Sequence, residues 1–173
     1  HEFFPGFSYY PNIRRMKRKL NNPYVQFPDH KCFCCSTRNP IGLNLTFWYD
    51  DEAKTVETSW LAHEFYQGYA GVLHGGIQST LMDEVASWCI YILLETAGVT
   101  SNLNVTYRKP AIIEKGVIKI VGRLKHVEKR IATIHTELYD GEGNMCSEAE
   151  VKYFIYPQEK AIKELNYPGI LAF

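Results

Sequence analysis

The chain has 173 residues, 46% of them hydrophobic and 22% charged, with 19 basic side chains balanced by 19 acidic ones. That length suits one domain with a real core, and a formal net charge of zero gives no whole-chain argument for a nucleic-acid partner. No run reaches the ~18 uncharged apolar residues of a membrane span. The N-terminus lacks the apolar centre of a secretion signal, and an odd count of five cysteines points to reduced thiols in the cytoplasm.

Residues 1–11 are rich in aromatics and proline (Phe3, Phe4, Phe7, Tyr9, Tyr10) and read as a packing segment. Residues 12–20 place Ile13, Met16 and Leu20 at helical spacing among Arg14, Arg15, Lys17, Arg18 and Lys19, which predicts a short basic amphipathic helix docked on the domain. Asn21-Asn22-Pro23 breaks it. After Cys32-Phe33-Cys34-Cys35 the chain alternates: Leu43, Leu45, Phe47 and Tyr49 against Asn44, Thr46 and Trp48. That is strand periodicity. The polar turn Asp50-Asp51-Glu52 leads to a second strand, Thr55 to Leu61, completing a hairpin. An irregular loop, His63 to Gly71, follows.

The stretch from Ile77 to Thr96 reads as one long helix, opened by Gly71-Val72-Leu73-His74-Gly75-Gly76. Its charged residues are Asp83, Glu84 and Glu95. A carboxylate in so apolar a helix is costly unless something satisfies or uses it. Gly76 and Asp83 are seven residues apart, so they share a face at a separation of roughly 10 Å. Four strand-like runs follow: Val99–Arg108, Gly116–Val127, Arg130–Tyr139 and Asn144–Tyr156. No helix separates them, so the sheet is mainly antiparallel. The fold class is therefore α+β, with one long helix wrapped by a curved sheet. The expected division is an extension over 1–30, a folded domain over 31–157 and a tail over 158–173.

This element order, with His74-Gly75-Gly76 opening the helix and Asp83 nine residues after the histidine, resembles the hotdog-fold acyl-CoA thioesterases of the phenylacetate-degradation (PaaI-like) group. Asn104-Val105-Thr106-Tyr107-Arg108-Lys109-Pro110-Ala111 matches that group's strand after the helix. Cys32-x-x-Cys35 with Asn39-Pro40-x-Gly42-Leu43 looks like the N-terminal extension of one bacterial branch. The resemblance implies hydrolysis of a thioester to coenzyme A and a carboxylic acid. It also implies a homodimer or dimer of dimers with sites at the subunit interface. The Gly75 amide, with Gly76 next, would polarise the carbonyl at the helix N-terminus. Asp83 of the other subunit would act as general base or nucleophile, with Glu84 as the alternative acid. His74 would be a base or would orient the loop, and Thr100 would help to position water.

Some relatives carry a polar residue six positions before the histidine; here that position is Gly68, with Gln67 beside it. Gln67, Arg108, Lys109, Lys125, Lys129 and Arg130 are the candidates for gripping coenzyme A and its phosphates. Phe65, Tyr66, Tyr69 and Trp88 are candidates for the acyl pocket or the core. No redox cofactor is expected. No metal is expected either, because one Cys-x-x-Cys pair is half a structural zinc site and the chain has no second pair. Two rival readings remain open: a non-catalytic acyl-CoA binding module, and a hotdog dehydratase.

Overall fold

The computed structural model describes residues 17–173. The aromatic segment 1–11 and the first part of the basic segment, residues 12–16, lie outside the described residues. Lys17–Lys19 are not helical. They form strand β1, paired antiparallel with β2 (Phe47–Asp50) in the register Lys17↔Asp50, Arg18↔Tyr49 and Lys19↔Trp48. Ladder hydrogen bonds outweigh the amphipathic pattern here, and the cations gain partners: Arg18 lies over Tyr49, Lys19 over Trp48, and Lys17 Nζ is 2.6 Å from Glu57.

The predicted hairpin is β2 with β3 (Thr55–Trp60). Leu43 and Leu45 lie N-terminal to the ladder, yet they keep its inward alternation and are buried. The long helix, α1, is Gly75–Leu93. It starts two residues earlier than its apolar pattern because His74 caps it, and it ends before Thr96. Leu94 is the C-cap, and Glu95 takes the left-handed conformation (φ 51°) that closes the last turn. Then come β4 (Gly98–Tyr107), β5 (Ile118–Glu128), β6 (Ile131–Tyr139) and β7 (Met145–Ile155). The chain closes with helix α2 (Gln158–Leu165).

The seven strands form one sheet in the order β1-β2-β3-β5-β6-β7-β4, every neighbouring pair antiparallel. The sheet wraps α1, which packs against β3 to β7. Leu81, Met82, Val85, Ala86 and Cys89 meet Val56, Ile120, Ile134 and Val151 in the core. Helix and sheet approach most closely at Gly122, where an added Cβ would stand 2.8 Å from both Cys89 Sγ and Val85 Cγ1. The outer face is polar and laced with ion pairs such as Lys119–Glu57 and Arg123–Glu137. Trp88 belongs to the core: it is fully buried and stacks on Phe47 at 4.1 Å. Tyr24, Tyr91, Tyr167 and Phe173 gather beside it. That cluster ties the residues after α2 and the 20s segment to the second half of α1.

Candidate active site

Two polar constellations sit at separate points along α1. The first is at its N-terminus. The preceding loop is stitched in place by His74 N–H donating to the Tyr66 carbonyl, Leu73 N–H to Ala111, and Ile113 N–H to Gly71, whose φ of 75° makes the turn. His74 is the N-cap: its Nδ1 accepts from the Gly76 amide at 2.9 Å. An accepting Nδ1 puts the ring proton of the neutral imidazole on Nε2. Gly76 N–H is therefore already committed, which corrects its expected role as a second carbonyl donor. Gly75 N–H has no acceptor among the described residues. It remains as a free donor at the positive end of the helix. The Tyr107 hydroxyl donates to the Gly75 carbonyl at 2.8 Å and lies 2.7 Å from Ser79 Oγ. These contacts brace the same turn from β4.

A cleft of about 770 Å³ opens over this turn, lined among others by Gln67, Tyr69, His74, Gly75, Tyr107 and Lys109. Its size is that of a small-molecule site. Gln67 Oε1 accepts from Gly71 N–H at 2.8 Å, and its amide donors have no acceptor among the described residues. Gly68 packs against the ring of His74: a Cβ there would lie 3.3 Å from His74 Cδ2. Tyr69 is 87% exposed and Phe65 83%, so these two aromatics of the preceding loop stand out in solvent, whereas Tyr66 packs edge-on against Trp60 at the border of the core.

The second constellation is at Asp83, two turns along. The β4–β7 register sets Thr100 opposite Tyr153, and a bulge between Thr100 and Asn102 bends the strand there. Thr100 Oγ1 donates to Asp83 Oδ1 at 2.9 Å. The buried Tyr153 hydroxyl lies 2.7 Å from the same oxygen and 2.8 Å from the Asp83 carbonyl. Both side-chain donors reach Oδ1, so Oδ2 is left without a protein donor among the described residues. Burial, and after it the Asp83 charge, push the Tyr153 phenol far above its usual range, so it stays a donor. The sequence named Asp83 and Thr100; Tyr107 entered only within the strand motif, and Tyr153, which meets Asp83 through the β4–β7 pairing, was not singled out.

The remaining candidates separate. Arg108 and Lys109 line the cleft. The Arg108 guanidinium is bound to Glu148, and Lys109 has no ion-pair partner among the described residues. Lys125 is not at the cleft mouth, contrary to expectation: the alternation of β5 turns it to the outer face, where it pairs with Glu150. Lys129 and Arg130 form the β5–β6 turn. Arg130 lies over Phe154, which is the register partner of Val99, next to Thr100. Glu84 is half-buried and turned away from Asp83's partners, toward the 30–35 loop. It accepts from Trp88 Nε1 at 3.1 Å and contacts Cys32, so it is not an alternative acid at the Asp83 site.

A single long helix held by a seven-stranded antiparallel sheet, with a capped glycine turn at the helix start, defines this as a hotdog-fold protein. Residues 70–147 match the family model described as thioesterase superfamily. A Saccharolobus solfataricus protein provisionally named an esterase is 27% identical over 97 residues, spanning 56% of this chain and 63% of its own length. The acyl-coenzyme A thioesterase THEM4 of Mus musculus is 28% identical over 108 residues, spanning 59% of this chain and 46% of its own. The chain thus spans about half to two thirds of the curated relatives it matches. Among solved structures, a Streptococcus pneumoniae protein described as a hypothetical thioesterase with coenzyme A superposes with a TM-score of 0.56 at 23% identity. The match covers 60% of this chain and 82% of that one.

Proposed function

We propose that the protein is an acyl-CoA thioesterase whose active site pairs Gly75 of one subunit with Asp83 of another. The observation that carries this reading is the pair of unused groups on one helix: a free Gly75 N–H at the cleft, and an Asp83 carboxylate pinned through Oδ1 with Oδ2 open. They are eight residues apart, about 12 Å along the axis. Reacting atoms need separations of about 3–3.5 Å, so one helix cannot bring both to one carbonyl. A second copy with its helix antiparallel would. Support for such a copy comes from β4, a ten-residue strand at the edge of the sheet with most of its residues exposed, running beside Asp83. An edge of that length is normally covered.

In this reading the Gly75 amide stabilises negative charge on the carbonyl oxygen. Water bonds to the carbonyl carbon while its proton passes to Asp83 Oδ2. The carbon–sulfur bond then breaks and the departing thiolate takes the proton. Attack by Asp83 itself, followed by hydrolysis of the anhydride, uses the same geometry. Thr100 and Tyr153 position the carboxylate, and His74 shapes the amide turn. Coenzyme A as the carrier is suggested by the names of the mouse and pneumococcal relatives. Lys109 and the Gln67 amide are the candidate grips in the cleft, with Lys129 and Arg130 near the Asp83 end. The binding-module alternative draws on Gly68, which offers no side chain to hold water.

Free-thiol release from short, medium, long and aromatic acyl-CoAs, measured for the wild type and Asp83→Ala, tests the proposal. Turnover that collapses in a variant of unchanged oligomeric state supports it. Tight acyl-CoA binding with no turnover in the wild type rejects it for the binding module.

A further inference from the structure

Away from the cleft, about 100° around α1 from Asp83, the fold gathers side chains that thioester chemistry does not use. The loop before β2 turns sharply at Cys32–Cys35, with Ser36 N–H donating to the Cys32 carbonyl at 3.2 Å. This turn lies on the helix at Glu84. One ligand atom from each of Cys32, Cys35 and Glu84 falls within 4.8 Å of the others. Cys32 Sγ is 3.8 Å from both Glu84 carboxylate oxygens, and His30 Nε2 is 3.8 Å from Cys35 Sγ.

We infer that Cys32, Cys35, Glu84 and His30 form a structural site for a borderline-soft divalent cation, zinc by preference, which fastens the 30–35 loop to α1. The donor set is two thiolates, a carboxylate and an imidazole, the combination that tetrahedral zinc takes. Zinc–sulfur bonds of about 2.3 Å and zinc–oxygen or zinc–nitrogen bonds of about 2.0–2.1 Å give tetrahedral edges of about 3.5 Å between unlike ligands. The Cys32–Glu84 and Cys35–His30 pairs, each at 3.8 Å, need only a few tenths of an ångström of contraction, and the other edges among Cys32, Cys35 and Glu84 are within 4.8 Å. Cys32, Cys35 and Glu84 already converge, and His30, beside Cys35, swings in as the fourth.

The surroundings fit the same role. Cys34 N–H points at Cys32 Sγ at 3.4 Å, a backbone donor to sulfur that favours thiolate. Trp88 Nε1 holds one Glu84 oxygen, and the His30 ring stacks on Tyr24 with centroids 5.5 Å apart. Such outer contacts orient ligands. Among the described residues no lysine or arginine pairs with Glu84. Without a cation this half-buried carboxylate faces sulfur and an indole. A crevice of about 500 Å³ opens onto the cluster and supplies a path for entry. The expectation of no metal rested on the missing second cysteine pair. The fold supplies a helix carboxylate and a histidine two residues upstream instead. Binding exchanges the cysteine protons, and that of Glu84 where it is protonated, for the cation, and the protons leave to solvent.

The test uses the full chain and reads metal directly, so it is independent of any thioesterase activity. Metal content of freshly purified protein should be about one zinc per chain. Chelator-stripped wild type titrated with Co²⁺ should develop thiolate-to-cobalt charge transfer and tetrahedral ligand-field absorption. Cys32→Ser and Cys35→Ser should lose the metal. Glu84→Gln and His30→Ala should weaken it at least about tenfold, and Cys34→Ser should keep it. Loss of metal alone can impair folding of the cysteine variants, so the stripped wild type carries the decision. The inference is overturned if it gives no cobalt–thiolate band, if fresh protein holds a Cys32–Cys35 disulfide in place of metal, or if Cys34→Ser loses metal as fully as Cys32→Ser.

Discussion

A site shared between subunits makes a quantitative claim about mixtures of two dead proteins. The first variant is Asp83→Asn, which removes the base. The second is Gly75→Pro, which removes the amide proton itself. Proline is well placed there: Gly75 is the first residue of α1, where proline is favoured. His74 has φ −58° and ψ 135°, the extended geometry that a residue before proline adopts. The new Cβ would sit 3.2 Å from the Tyr107 hydroxyl, which must yield by a few tenths of an ångström. Each variant alone should lose about 10²–10³ in kcat, the usual effect of deleting an oxyanion donor, or more for the base. Equal amounts mixed under subunit exchange give half heterodimers. Each heterodimer holds one site with both groups intact and one with neither, so the mixture recovers about a quarter of wild-type activity. If Gly75 and Asp83 of one chain served the same site, every site in the mixture would still lack one group. Thiol release that stays at the level of the separate variants, with heterodimers verified by tagging, refutes the shared-site geometry.

Two further outcomes follow from the contacts. Tyr153→Phe deletes the hydroxyl 2.7 Å from Asp83 Oδ1. A hydrogen bond to a charged group is worth about 1.5–3 kcal/mol, so kcat should fall about ten- to a hundredfold with KM little changed; kcat within twofold of wild type would remove Tyr153 from the site. In chelator-stripped protein, burial, and after it the Cys32 charge, push the Glu84 carboxyl up to about 7. Cys32, Cys34, Cys35, His30 and Asp83 surround it. The native state then binds a proton that the unfolded chain has already released above about 4.3. Stability should therefore fall as pH rises from about 4.3 to about 7 and level off beyond. Urea melts of Glu84→Gln should lack that slope, and an equal slope in both proteins would contradict the assignment.

The strands and the long helix were legible because their patterns are local. Leu43, Leu45 and Phe47 alternate inward whether or not each joins the ladder, and His74-Gly75-Gly76 marks a helix entry by its own chemistry. The helix carboxylate at 83 stood out against its apolar neighbours. What escaped depends on register. Tyr153 reaches Asp83 because β7 pairs with β4 so that Thr100 and Tyr153 are opposite, and 70 residues of chain lie between tyrosine and aspartate. Lys17–Lys19 carry a helical pattern, yet an open sheet edge offers them three residues of ladder. Lys125 looked like a phosphate ligand until strand alternation turned it outward to Glu150.

Asp83 and Glu84 show how neighbouring positions acquire different work. They differ by about 100° around the helix, and that angle alone decides which wall each carboxylate meets. Asp83 turns toward β4 and β7, where two hydroxyls fix one oxygen and leave the other open. Glu84 turns toward the 30–35 loop, where two thiols and an indole N–H meet it. A cation there would clamp the turn of α1 that carries Asp83 from behind, while Tyr153 and Thr100 hold it from the front. Loss of metal should then loosen the Asp83 turn before it disturbs Gly75, whose position is set two turns away by His74 and the loop hydrogen bonds to Tyr66, Ala111 and Gly71.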